Sequence, residues 1–297
     1  MSNVRSLKPG YYEALRRLTL ELAGVKLGAD SEFLVETRLA AVARQEGYDD
    51  LPSMVGELFS EGKTRLAVNV VAALLERDMR FFDDKAGFDT LINDVLPLLC
   101  ESFKGQPINI LCYGCGSGQD VYSLAMTLAD ISQKHPSTRF NIVGLDYPSR
   151  GLSRAMEGRF THFEVQRGLP ARQLVKYFNR DGEDWLVNDA LRERVSFQEF
   201  HLLSSLKDQG KFELVMFRNS LARYAASSQM RILRSLVPAI PVDGYLMLGS
   251  EETLGELNFG MDWLEGAGGF YKRRATRKHP DMIVAEIAEP LRTDFHE

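Results

Sequence analysis

The 297-residue sequence is poor in cysteine, in long apolar runs and in net charge, and each shortage excludes something. Three cysteines occur, Cys100, Cys112 and Cys115. An odd number at low density implies no disulfide framework. Cys112 and Cys115 form a C-x-x-C, but no second Cys or His pair stands at zinc spacing. They read as small buried side chains, and no metal site is expected. No window approaches the ~18 consecutive apolar residues of a membrane span. The first residues lack the apolar stretch of a signal peptide. These absences point to a cytoplasmic protein without membrane insertion. The net charge of −5 lacks the basic excess of a nucleic-acid binder. A local basic patch for an acidic protein partner remains compatible with it. Repeats and low-complexity segments are also missing.

What is present divides in two, as the length suggests on a prior of ~150 residues per domain. Residues 10–80 read as a run of helices. Tyr12, Leu15, Leu18, Leu20 and Leu22 recur near helical spacing. Asp30 and Ser31 are placed to cap a second helix, with Phe33, Leu34, Leu39 and Val42 inward. Leu51, Met54 and Leu58, then Leu66, Val70, Val71 and Leu74, mark two more. After a break at Gly105 and Pro107 the pattern changes. Ile108 to Tyr113 is a β-rich apolar run, followed by glycines and a helical stretch over 121–131. Phe140 to Asp146 is a second strand, ending in an acid. Strands over 212–217 and 244–249 flank a helix around 229–237. Strands alternating with helices predict an α/β fold, a parallel, doubly wound Rossmann-like sheet with helices on both faces. The expected division is a helical domain over 1–85, a sheet domain over 86–275 and a fraying tail over 276–297. Phe81, Phe82, Trp185 and Trp263 read as packing residues. Lys272, Arg273 and Arg274 read as a solvated basic end.

The chemistry-bearing feature is Gly114-Cys115-Gly116-Ser117-Gly118. It follows a predicted strand and precedes a predicted helix, the context that gives such a loop meaning. Glycines allow a tight turn and a close approach of backbone to ligand. Asp146 ends the next strand, where an acid can accept hydrogen bonds from ribose hydroxyls. Dinucleotide enzymes use G-x-G-x-x-G to seat a pyrophosphate on the helix N-terminus. Here the third glycine falls one position early. The spacing matches S-adenosylmethionine better, where no phosphate must be held. A nucleotide, and a tight turn with no ligand, remain the alternatives.

In order along the chain, these residues resemble the CheR family of chemotaxis receptor methyltransferases over about residues 10–272. The family's A-G-C-S-T-G-E-E-x-Y-S is similar to Tyr113-Gly114-Cys115-Gly116-Ser117-Gly118-Gln119-Asp120-Val121-Tyr122-Ser123. Its T-D-I-D-x-x-x-L-x-x-A-x-x-G-x-Y resembles Leu145-Asp146-Tyr147-Pro148 with Leu152, Ala155, Gly158 and Phe160. F-x-x-x-N-L-L looks like Phe197 to Leu203, with His201 for Asn. C-R-N-V-x-I-Y-F looks like Phe217-Arg218-Asn219-Ser220-Leu221-Ala222-Arg223-Tyr224. D-G-x-L-x-x-G-x-x-E is seen as Asp243, Gly244, Leu246, Gly249 and Glu252.

The resemblance implies a helical N-terminal domain and an adenosylmethionine-dependent methyltransferase domain with a small inserted β-subdomain, near 160–196. Val195-Ser196-Phe197 would end that insert. It implies methyl transfer from S-adenosylmethionine to glutamate side chains of chemoreceptor cytoplasmic domains, giving a methyl ester and S-adenosylhomocysteine, with the enzyme a monomer. Carried onto this chain, Gly114, Cys115, Gly116 and Gly118 would cradle the cofactor and Asp146 hold its ribose. His201 and Leu202 would flank the adenine. Asp120, with Gln119, would face the methionine part, bordered by Arg218 and Asn219. Tyr224, Arg80 and Arg218 would stand at the reacting end.

One motif departs. The family's N-x-T-x-F-F-R reads Arg77-Asp78-Met79-Arg80-Phe81-Phe82-Asp83, so Met79 and Asp83 replace Thr and Arg, reversing a charge where a glutamate must approach. Arg77 and Arg80 are placed to compensate. Two readings follow from the resemblance, an active methyltransferase or a catalytically weak cofactor-binding relative serving as a regulatory module.

Overall fold

The computed structural model describes residues 7–28, 31–62, 64–132, 138–255 and 259–275. The expected tail over 276–297 and the expected cap Asp30 lie outside them.

Four helices come first. Helix α1 (Pro9–Ala23) starts on proline, which loses nothing at a first turn, and stops at Gly24 in the left-handed region. Its inward stripe is Tyr12, Leu15, Thr19 and Ala23, so Leu20 and Leu22 fall on the outer face. Helix α2 (Glu32–Gln45) buries Val35, Leu39, Val42 and Ala43, which leaves Phe33 and Leu34 exposed, against expectation. Ser31 does not cap it by side chain; its hydroxyl donates to the Gly28 carbonyl instead. Helix α3 (Leu51–Glu61) is capped by Asp50, which accepts the Ser53 N–H at 2.8 Å. Helix α4 (Thr64–Leu75) closes the bundle, and Leu15, Leu39, Met54 and Val70 share its core.

An irregular stretch over 76–80 leads to α5 (Lys85–Thr90), which runs through a π-helical turn (Leu91–Val95) into α6 (Leu96–Ser102). The expected alternation follows as β1 (Ile108–Tyr113), α7 (Gln119–Ile131), β2 (Phe140–Asp146) and α8 (Arg150–Glu157). Next comes the insert, built of β3 (Arg159–Thr161), α9 (His162–Gln166), α10 (Ala171–Tyr177), β4 (Phe178–Asp181), β5 (Asp184–Val187) and α11 (Asp189–Arg192). The main sheet resumes with β6 (Val195–Glu199), β7 (Leu214–Met216), α12 (Ala226–Ala239), β8 (Tyr245–Met247), β9 (Met261–Trp263) and β10 (Phe270–Arg273).

Strand order in the seven-stranded sheet is β6-β2-β1-β7-β8-β10-β9. β6, β2, β1, β7 and β8 are parallel, while β10 runs antiparallel to both β8 and β9. The order reverses between β1 and β7, the switch point where ligands bind at strand carboxyl ends in open α/β sheets. Along β1, Ile108, Ile110 and Cys112 enter one core and Leu111 and Tyr113 another, so helices cover both faces as expected.

Three expectations need correction. Val195, Ser196 and Phe197 are not in the insert; they pair with Ile142, Val143 and Gly144 as an edge strand of the main sheet. The basic run Lys272, Arg273 and Arg274 is not a loose end. Lys272 meets Asp243, Arg273 donates to the Val237 and Ile240 carbonyls, and Arg274 pairs with Asp262. Trp263 is 57% exposed rather than packed. Phe81 does pack, with no exposure, against Phe160 and Phe178 of the insert at 4.9 and 5.8 Å. Among the described residues no helix is long and apolar enough to cross a membrane.

Candidate active site

The turn after β1 is built from left-handed glycines, with φ of +70° at Gly114, +56° at Gly116 and +89° at Gly118. Glycine takes such angles without the steric cost that a Cβ adds. The N–H groups of Gly114 and Cys115 donate to the Leu145 carbonyl at 2.7 and 3.2 Å, which ties the turn to the end of β2. One residue on, the Asp146 carboxylate accepts the Gly116 N–H and, at 2.7 Å, the Tyr147 N–H. Turn and acid therefore form one unit, fixed by backbone.

That unit forms the floor of a cavity of about 710 Å³, within the range of small-molecule sites. Gly114, Gly116, Ser117, Gln119 and Asp146 line its base, and Tyr147, His201, Leu202 and Tyr224 its sides. The Tyr147 and His201 rings meet edge-on at 5.5 Å. His201 is held in one tautomer: Nε2 donates to the Leu22 carbonyl at 2.6 Å and Nδ1 accepts the Leu203 N–H at 3.3 Å. The Tyr113 hydroxyl donates to the Leu202 carbonyl at 2.5 Å and fixes that wall. Burial pushes the Tyr224 phenol well above the usual tyrosine range, so it stays protonated at neutral pH. The helical bundle supplies the remaining side. Val25 bridges Tyr224, Lys26 N–H donates to the Arg223 carbonyl, and Ala225 N–H to the Gly24 carbonyl, both at 2.9 Å. Ala23 and Val25 line the cavity from there.

A second cavity, of about 300 Å³, lies beside the first and shares Arg77 and Met79 with it. Asp83, Asp120, Arg218, Asn219 and Arg80 line it. Arg218, with a side chain only 1% exposed, meets Asp120 at 3.1 Å and Asp84 at 3.8 Å, and donates to the Asp83 carbonyl at 2.6 Å. Burial pushes the Asp120 carboxyl up, against the pull of Arg218 and Arg77.

The expected site residues thus separate into three groups. Gly114, Gly116, Asp146, His201, Leu202, Tyr224 and Gln119 face the larger cavity. Asp120, Arg218, Asn219 and the exposed Arg80 face the smaller one. Cys115 and Gly118 face neither: the Cys115 sulfur packs against Gly144, and Gly118 against Ala155 and Phe197. The Cys115 and Cys112 thiols are pushed up by burial, far from a thiolate ligand's range. Among the described residues no cluster of metal-binding side chains occurs. The wall also includes residues that the motifs did not mark as cofactor contacts, among them Tyr147, Ser117 and Arg77. Tyr147 follows the strand-end acid directly, which was a usable signal.

A glycine turn at the sheet's switch point, tied to an acid ending the neighbouring strand and walled by aromatic and leucine side chains, is the Rossmann-like arrangement of a site for an adenosine-containing cofactor. Residues 77–266 match the family described as CheR methyltransferase, SAM binding domain. Chemotaxis protein methyltransferase Cher2 of Pseudomonas putida KT2440 is 30% identical over 250 residues, spanning 83% of this chain and 91% of its own. Chemotaxis protein methyltransferase 1 of Pseudomonas aeruginosa PAO1 is 31% identical over the same length and shares. Chemotaxis protein methyltransferase 1 of Vibrio cholerae serotype O1 is 26% identical over 246 residues, 82% of this chain and 89% of its own. The chain belongs to the CheR methyltransferase family.

Proposed function

We propose that this chain is a cytoplasmic, monomeric chemotaxis methyltransferase that esterifies glutamate side chains on the cytoplasmic domains of chemoreceptors. The observation that carries the reading is the Gly114–Gly118 turn locked to Asp146 in the floor of the large cavity. Bound S-adenosylmethionine supplies an electrophilic methyl group on a sulfonium sulfur. A glutamate acceptor is already ionised at neutral pH, so its oxygen attacks with no general base. Held over the Gly114–Gly118 turn and Asp146, the cofactor would give its methyl group to that oxygen and would leave as the neutral thioether S-adenosylhomocysteine. Placement in line supplies most of the rate.

In this reading Asp146 keeps acceptor capacity for the ribose hydroxyls, and Tyr147, His201 and Leu202 flank the base. Gly114 and Gly116 let the backbone approach the cofactor, with Cys115 and Gly118 shaping the turn behind them. Gln119 borders the methionine end. Asp120, Arg218 and Asn219 fix the wall between the cavities, and Tyr224 stands at the reacting end with a neutral phenol. The helical part to residue 85 closes the pocket and meets the receptor, Arg80 standing on the side of the acceptor. The sheet part over 86–275 holds the cofactor.

The test is transfer of tritiated methyl from adenosylmethionine to receptor-containing membranes, followed by mild base. Label released as methanol is the expected result, abolished by Asp146→Ala. Stable label, or none with adenosylhomocysteine bound normally, would remove the esterification reading.

A further inference from the structure

We propose that Arg77 is a specificity-determining residue that occupies the cation cradle needed by the cofactor's α-ammonium, and so weakens binding of adenosine ligands carrying an amino-acid end. The inference rests on the adenosylmethionine reading of the site.

Three oxygens converge on the Arg77 guanidinium. They are the Gly114 carbonyl just past β1, the Arg218 carbonyl beyond β7 at 3.0 Å, and the Ser220 hydroxyl. β1 and β7 are the two strands on either side of the order reversal. The arginine comes from neither; it reaches in from the irregular segment after the helical bundle. Its partners are carbonyls and a hydroxyl, and among the described residues it makes no ion pair. The nearby acids are engaged elsewhere. Asp78 pairs with Arg167, Asp120 and Asp84 with Arg218, and Asp146 takes the turn amides. A half-buried guanidinium held this way fills a site for some cation, and does so without a direct ion pair of its own, Asp120 acting on it only from a distance.

With the ribose at Asp146, as proposed above, the same cavity wall runs on to Gly114 and Arg77, and the inference seats the ligand's amino-acid end there. An ammonium there needs acceptors. Of the acidic and amide side chains in the cavity wall, Glu164 is held by Arg154, Asp78 by Arg167 and Gln119 by Ser117, while Glu76 and Glu157 are exposed at the rim. The Gly114 carbonyl and Ser220 hydroxyl in that wall, with the Arg218 carbonyl behind them, form a ready cation cradle, and Arg77 is on all three. Two cations at hydrogen-bond range of the same oxygens repel. A ligand with an amino-acid end must therefore displace Arg77, whereas one without it need not.

The test is calorimetric titration of the full chain with S-adenosylhomocysteine and with 5′-methylthioadenosine, which lacks the amino-acid end. Wild type is compared with Arg77→Ala and Arg77→Lys, with folding checked by circular dichroism. Arg77→Ala should bind adenosylhomocysteine on the order of tenfold tighter, a charged hydrogen-bond set having been released. Methylthioadenosine affinity should stay within about twofold, as nothing it touches changes. Arg77→Lys keeps the charge with fewer donors and should fall between, which carries the test if the alanine variant does not fold. Unchanged or weaker adenosylhomocysteine binding, with methylthioadenosine unaffected, overturns the inference and makes Arg77 a contact for the cofactor. Equal loss of both ligands also overturns it, as a structural effect. Failure of methylthioadenosine to bind the wild type would instead strike the adenosylmethionine reading itself.

Discussion

Replacing Arg218 with methionine tests the charge arrangement behind the site. The guanidinium is sealed in, with Asp120 at 3.1 Å and Asp84 at 3.8 Å, whose side chains are 13% and 16% exposed. It also lies over the Phe88 ring at 5.3 Å. Methionine fills much of the volume but leaves two largely buried carboxylates without the cation they share, only the more distant Arg77 still acting on Asp120. Breaking a buried pair from one side costs about 3–5 kcal/mol. At roughly 2–4 °C per kcal/mol for a domain of this size, melting should fall by about 6–20 °C. The loss should depend on pH in a definite direction. Burial already pushes the Asp120 carboxyl upward, and Arg218 is the strongest force opposing that shift. A carboxyl raised in the folded state opposes folding once ionised, and does not when protonated. Without Arg218 the rise grows, so the ionised range disfavours the fold more. The variant's deficit should be largest near pH 8 and shrink as the pH falls toward 5. Urea unfolding of both proteins across that range measures it. Asp120→Asn in the Arg218→Met background should restore part of the stability at pH 8. A deficit constant with pH, or a double variant simply worse by the sum of the singles, would refute this account of the pair.

Further outcomes follow from other parts of the site. A Cβ on Gly118, at φ +89°, would lie 2.8 Å from the Ala155 Cβ and 3.4 Å from the Phe197 ring. Gly118→Ala should add overpacking of about 1–3 kcal/mol to a left-handed penalty of about 1–2 kcal/mol. Gly105→Ala, at φ +81° with nothing within 4 Å, should show only the latter; equal denaturant midpoints for the two would mean that α8 yields freely. Tyr224→Phe removes only a hydroxyl from a ring on the cavity wall, so melting should hold within a few degrees while methyl transfer falls by about tenfold or more; an unchanged rate takes the phenol away from the reacting end. Asp83 presents its carboxylate to the Asn219 amide at 3.4 Å in the smaller cavity. Asp83→Arg should raise initial rates at low receptor concentration by about fivefold, the worth of ~1 kcal/mol of like charge removed, and the gain should fade with salt. No gain would mean that the acceptor carboxylate does not pass that residue.

Much of the frame was readable from pattern. The four leading helices, β1, α7 and β2 follow from apolar spacing, and the glycine turn drew meaning from its place between strand and helix. β6 was not readable as part of the main sheet. Its residues alternate between half-buried and exposed, as an edge strand's do, and only pairing with β2 says which sheet owns it. β9 and β10 are three and four residues long and pair antiparallel, leaving too little alternation to detect. Within the site, Cys115 and Gly118 belong to the turn by motif, but only tertiary packing shows that the first turns under β2 and the second against α8 and Phe197. The meeting of Arg218 with Asp120 joins positions 98 apart, and local pattern carries no trace of it.

The backbone seam joining residues 24–26 to 223–225 has a practical consequence. The stretch matched by the family begins at Arg77, so a fragment cut there would keep the glycine turn and Asp146 yet open the chamber to bulk water on the side that Ala23 and Val25 now block. Because the seam is made of main-chain hydrogen bonds, swapping side chains cannot unstitch it, and any tilt of the bundle is passed to Tyr224 as a rigid pull. Exchanging the helices between relatives would then alter how firmly a small molecule in the chamber is retained.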